Sequence, residues 1–246
     1  MPPELPAPTF TGPALMLVTA IVLYLLVVEP FWGRRMFEGF KRERDTDPNT
    51  YVRFFGLGMA VSWGLTGLTA LAVLLSPGVR WAHLGLDSDV DWGTVSGMLV
   101  GFTGAAVVVA LLARRKKTPP ASELVSMLPR TTRERWCAVG ASVTAGVCEE
   151  IVFRGLLIAV GVSFGLPLYA AAGSALAIFT FAHLYQGKKN MLFVALLGFA
   201  LTYLYLRTGS LLMPIIVHIL VDLRALLLTP APKSETKAPQ RLTHTA

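Results

Sequence analysis

Apolar residues in this chain come in long continuous runs, with none of the apolar–polar alternation of a barrel strand. Seven runs stand out, at about 12–32, 54–75, 94–113, 136–160, 167–185, 190–207 and 210–229. A helix needs about 20 apolar residues to cross hydrocarbon. The pattern therefore predicts an all-α, polytopic transmembrane bundle of about seven spans. Only Arg207-Thr208-Gly209-Ser210 separates the last two runs, which makes them an antiparallel helical hairpin. No internal repeat is evident.

Composition agrees. Of 246 residues, 54% are hydrophobic and 15% charged, against about 25% charged in a soluble domain. A net charge of +7 raises the question of nucleic acid. The basic residues instead gather in short loops, which is how membrane proteins set their orientation, so no nucleic-acid partner is expected. The first loop carries Arg34, Arg35, Lys41, Arg42, Arg44 and Arg53, and the third Arg114, Arg115, Lys116, Lys117, Arg130, Arg133 and Arg135. Between them Asp87, Asp89 and Asp91 outnumber Arg80, and Arg207 is the one weak point in the alternation. The expected topology puts the N-terminus outside and the C-terminus in the cytoplasm, with Arg224 snorkelling to the interface. No basic segment precedes the first run, so it reads as an uncleaved anchor and not as a signal peptide.

Three regions follow: a three-span part (1–117), a helical core (118–229) and a polar, Pro-rich tail (230–246) expected to be disordered. After Thr118-Pro119-Pro120, residues 121–128 suggest a short helix in the headgroup layer, with Thr131 or Thr132 capping the next one. Gly97 and Gly101 form a GxxxG that reads as close packing within the bundle. Trp32, Trp81, Trp92 and Trp136 fall at span ends as interface anchors, and Trp63 inside a span as packing. Arg114 to Lys117 suit anionic lipid as well as topology. Cys137 and Cys148 are too few and too close to suggest a disulfide framework.

Against this background six ionisable residues are out of place: Glu149, Glu150, Arg154, His183, His218 and Asp222, on three spans. Charges in hydrocarbon must be paired, shielded or used. Glu150 and Arg154 are four apart on a helix and share a face, so they pair. Glu149 is rotated by about 100° and is left to face a cavity, where a carboxylate can serve as the base that activates water. His183 follows Phe179 by four residues, and Asp222 follows His218 by four. Either histidine alone reads as a hydrogen-bonded, inert side chain near a helix end. His83 and His244, in a loop and the tail, carry no expected role.

Together, Glu149-Glu150-x-x-x-Arg154, Phe179-x-x-x-His183 and His218-x-x-x-Asp222 resemble the CPBP family of intramembrane proteases, which includes CAAX prenyl endopeptidases and bacterial bacteriocin-processing relatives. The resemblance covers about residues 120–229. It implies peptide-bond hydrolysis in the membrane, with Glu149 as general base, His183 orienting the water, His218 and Asp222 binding the oxyanion, and Glu150 and Arg154 in support. It also implies a peptide or protein substrate, prenylated or not, and residence in a bacterial plasma membrane. Where the family most often has Asn, this chain has Asp222, an acceptor when ionised; the expectation is that it orients His218.

Zinc is the alternative, held by Glu149, His183 and His218, since a catalytic site needs three ligands and a water. No His-Glu-x-x-His run is present, and the expectation is a metal-free site with no cofactor. Two rival readings remain: a non-catalytic scaffold or immunity-type protein of the same fold, and a proton-coupled transporter. The latter predicts internal repeats and broken helices in both halves. Depth poses a puzzle, because Glu149 lies 13 residues beyond Trp136 while His183 lies close to a loop. A later start or tilt of the Glu149 span, or a His183 helix running on past Lys188, would level them, with the site in the cytoplasmic half or near the middle.

Overall fold

The computed structural model describes residues 6–87, 93, 96–97, 100–101, 104 and 122–229, without the side chains of Ser122, Glu123, Lys188 and Lys189. Most of the expected third span, the loop from Arg114 to Lys117, Trp92, His244 and the tail lie outside them. The described elements are helical, with one isolated bridge between Thr9 and Gly78. They are α1 (Gly12–Glu43), α2 (Thr50–Leu74), a 3-10 turn (Trp81–Leu84), α3 (Ser122–Met127), α4 (132–163), α5 (Leu168–Ala182) with a 3-10 extension (His183–Gln186), α6 (Lys188–Thr208) and α7 (Leu212–Leu227).

Among the described residues, four helices are long and apolar enough to cross a membrane: α1, α2, α5 with its extension, and α6. Only 22–28% of each span's most apolar stretch is buried. Most of the apolar surface therefore faces outwards, which suits lipid and no aqueous surroundings. Leu192, Leu196, Phe199 and Tyr203 show this on α6.

Several sequence expectations are corrected. The first helix does not end near residue 32 but continues to Glu43, so Arg34, Arg35, Lys41 and Arg42 sit on a helix and not in a loop. The expected fourth span starts earlier, at Thr132, and is not uniformly α-helical, widening into a π-helix over Glu150–Leu157. Trp63 is half exposed, its indole N–H donating to Thr144 Oγ1 at 3.3 Å. Gly97 and Gly101 are exposed, and no described residue lies within 4 Å of a Cβ built on either. Other expectations stand. Thr131 caps α4, accepting from Glu134 N at 3.2 Å, and Gly209 (φ 66°) closes α6 in the left-handed conformation that makes the tight link to α7.

α4 is the central helix, packed between α2 and α7, with its second half against α5. The main core gathers Val18 and Ile21 of α1, Val152, Leu156 and Ile158 of α4, and Ala172, Ala175 and Phe179 of α5. A second core of Phe37, Phe40, Tyr51, Ala138 and Leu226 joins the far ends of α1, α2, α4 and α7. Tyr185 of the α5–α6 turn packs against this second core. α5 does not run past Lys188: it tightens to 3-10 at His183 and turns at Gly187 (φ 89°).

A buried ion pair ties this end together. Arg44 donates to Glu134 at 2.9 and 2.6 Å and to Leu128 O at 3.2 Å. Glu134 Oε2 also accepts from the Arg130 backbone N–H at 2.6 Å. Glu134→Gln would leave the buried Arg44 without its counter-charge and should lower the unfolding temperature at neutral pH, which thermal unfolding of both proteins measures.

At the opposite end His83, expected to be idle, is buried. Its Nδ1 accepts from Arg80 N at 2.9 Å and its Nε2–H donates to Pro6 O at 3.1 Å, fixing the segment before α1 to the turn after α2.

Candidate active site

The adjacent glutamates part company as their helical positions require. Glu150 turns into the protein and is fully buried with Arg154. Arg154 Nη1 donates to Glu150 Oε1 at 3.0 Å, Nη2 to Gly198 O at 3.1 Å and Nε to Thr202 Oγ1 at 3.4 Å. Its guanidinium carbon lies 4.3 Å from the centroid of the Phe179 ring. The positioning ion pair read from the i,i+4 spacing is therefore in place, and it also joins α4 to α5 and α6.

Glu150 has a second partner. His218 Nδ1–H donates to the same Oε1 at 2.7 Å, which fixes the ring and leaves Nε2 facing Glu149 and Asp222. Glu150, and not Asp222, thus makes the hydrogen bond that orients His218. Asp222 Oδ2 stands 3.8 Å from Nε2, beyond hydrogen-bonding range.

Glu149 faces the cavity. Its Oε2 lies 3.7 Å from His183 Nε2 and 3.9 Å from His218 Nε2, and no described residue donates a hydrogen bond to it. His183 Nδ1–H donates to Phe179 O at 2.9 Å, one turn back, so Phe179-x-x-x-His183 presents Nε2 to Glu149. α5 leaves the α-helical path at this residue. The π-helix beginning at Glu150 and the 3-10 turn beginning at His183 both occur at the site, where such departures concentrate.

The cavity is about 550 Å³, within the range of small-ligand sites. Glu149, His183, His218 and Asp222 share its wall with apolar residues such as Leu65, Phe153 and Val194. Helix spacing holds it in shape. At Gly146, one turn before the glutamates, a Cβ would meet Ile219 N at 3.1 Å and Ile215 O at 3.2 Å. Only hydrogen there lets α7 approach close enough for His218 to reach Glu150. Gly146→Ala should push α7 away and, because small misplacements are costly, lower the turnover of a reconstituted preparation about 100-fold.

Among the described residues no group of three His, Cys, Asp or Glu side chains is arranged to hold a metal ion.

Sequence reasoning missed Glu29. It lies on α1, lines the same cavity and accepts from Tyr24 O–H at 2.7 Å. The signal was present: an acidic residue inside an apolar run, followed by Pro30. Pro30 lacks an N–H, and α1 widens into a π-turn over Tyr24–Val28 just before it. That turn brings Tyr24 and Glu29, five apart, onto one face. Tyr185, which stacks beside His183 with ring centroids 6.0 Å apart, was also missed.

Glu29 of α1, Glu149, Glu150 and Arg154 of α4, His183 beside α5, and His218 and Asp222 of α7 thus gather in a helical protein whose long apolar helices suit a membrane. Residues 131–224 match the family described as Type II CAAX prenyl endopeptidase Rce1-like, a peptidase family. The match includes Glu149, Glu150, Arg154, His183, His218 and Asp222, and it bears out the CPBP resemblance read from the three motifs. No curated protein and no solved structure matches the chain.

Proposed function

We propose that the protein is an intramembrane endopeptidase that cleaves a peptide bond with water activated by Glu149 and His183. The observation that carries this reading is Glu149 Oε2, which has no hydrogen-bond partner among the described residues and is flanked at 3.7 and 3.9 Å by Nε2 of His183 and of His218. In the proposed reaction Glu149 takes a proton from that water as its oxygen attacks the substrate carbonyl carbon. His218 acts as the imidazolium: its Nδ1–H stays on Glu150 while its Nε2–H donates to the developing oxyanion. The carbon–nitrogen bond then breaks, and the proton on Glu149 passes to the leaving nitrogen. One product carries the new carboxylate and the other the new amine.

The substrate is a peptide or protein embedded in or beside the bilayer, prenylated or not. The expected seven spans, the outside N-terminus and the bacterial plasma membrane belong to the same proposal. Comparison of membrane peptides from cells carrying wild type or Glu149→Ala tests it. One peptide cleaved only by wild type is expected; identical peptide sets would leave the scaffold reading in its place. The metal-free route is tested on pure protein: metal analysis should find no stoichiometric zinc, and chelators should leave cleavage intact.

Asp222 has no hydrogen bond to His218 to lose, so Asp222→Asn should retain activity to within about fivefold, since an amide there can also donate to an oxyanion. Initial rates of both forms decide it; complete loss would require the carboxylate itself.

A further inference from the structure

Glu29 is left unused by this mechanism, although it is an ionisable group on an apolar span and faces the reacting residues. Its Oε2 is held by Tyr24 O–H at 2.7 Å. One turn on, Gly33 carries no side chain, and a Cβ there would sit 3.5 Å from the Tyr185 ring and 3.7 Å from Glu29 Oε1. The Tyr185 ring lies in that notch and stacks beside the His183 imidazole, with an interplanar angle of 26°. Glu29, Gly33, Tyr185 and His183 are thus contiguous, and Glu29 interacts electrostatically with both His183 and Glu149.

From this geometry we infer that Glu29 is a positioning residue of the catalytic site, a tethered negative charge that supports His183 while the water's proton is transferred. The inference rests on the peptidase reading above and extends the working site to α1, outside the matched stretch 131–224. His183 already spends Nδ1 on Phe179 O and turns Nε2 to Glu149, so Glu29 acts on it through space and through Tyr185 packing. Preorganised charge in a site shielded from water acts on the transition state without reorganising. The Tyr24 hydrogen bond and the π-turn hold that charge in place.

The test separates charge from shape. Protein reconstituted in liposomes is assayed on a synthetic peptide spanning the cleavage found in the membrane comparison. Glu29→Gln keeps the size and an acceptor for Tyr24 but removes the charge. It should lower kcat about tenfold with KM unchanged. Glu29→Asp changes the shape but keeps the charge, and should retain more activity than Glu29→Gln. A purely structural role predicts the reverse order, with Glu29→Gln harmless and Glu29→Asp the worse. Thermal unfolding of both variants checks that they fold. If Glu149→Gln abolishes cleavage and Glu29→Gln leaves kcat unchanged, or raises only KM, this inference is overturned and the peptidase reading stands. If no Glu149-dependent cleavage exists, both fall.

Discussion

Glu149→Gln should abolish cleavage while leaving the protein folded. Gln matches Glu in size but has no basic oxygen to accept a proton from water. Loss of a general base alone costs about 10²–10⁴ in rate, and Glu149 also stands 3.7 and 3.9 Å from the Nε2 atoms of the two histidines, so a fall of about 10³-fold is expected. Stability should not follow. Oε2 receives no hydrogen bond from any described residue, so the amide breaks none. Removing a charge from a site among apolar helices also removes a desolvation cost. Paired measurements of cleavage rate and unfolding temperature make the comparison. Activity within threefold of wild type would show that the cluster is structural.

The contrast between Glu149 and Glu150 was legible in sequence because helical geometry alone separates adjacent residues by about 100°. The i,i+4 pairing of Glu150 with Arg154 followed from spacing in the same way, whereas the convergence of the three polar motifs was implied by the cost of charges in hydrocarbon and by the family resemblance. Partners from distant segments were not legible. Nothing in the sequence pairs His218 with Glu150, 68 residues away, or Arg154 with Gly198 O, since these contacts arise only when α7 and α6 close on α4. Helix extents were misread for a related reason. A scan for apolar residues stops α1 at the first arginines, whereas Phe37 and Phe40 continue it as an amphipathic helix into the second core. Glu29 escaped notice because the first run reads as an anchor, and an anchor is not searched for chemistry. Hydropathy thus fixes which segments meet lipid. The departures from α geometry at Tyr24, Glu150 and His183 decide which side chains meet one another.

Arg154 should be the residue whose loss most damages the fold. Its side chain is almost wholly buried, and its nitrogens bind three partners on two helices. Arg154→Leu would leave Glu150 as an interior charge with only His218 beside it, and would strip the donors from Gly198 O and Thr202 Oγ1. Breaking one side of a buried pair costs about 3–5 kcal/mol, whereas replacing both sides with apolar groups is often far less harmful. The double variant Glu150→Leu, Arg154→Leu should therefore be more stable than Arg154→Leu alone. It should nevertheless be inactive, because His218 Nδ1 has then lost the acceptor that aims Nε2 at the cavity. Arg154→Lys should fall between, keeping the charge but losing the fork that reaches Glu150 and Gly198 together. Unfolding midpoints of Arg154→Leu, Glu150→Leu and the double variant form a double-mutant cycle, with Arg154→Lys and the cleavage rates set beside it. Were the double variant no more stable than Arg154→Leu, the damage would lie in lost packing against Phe179 and not in a stranded carboxylate.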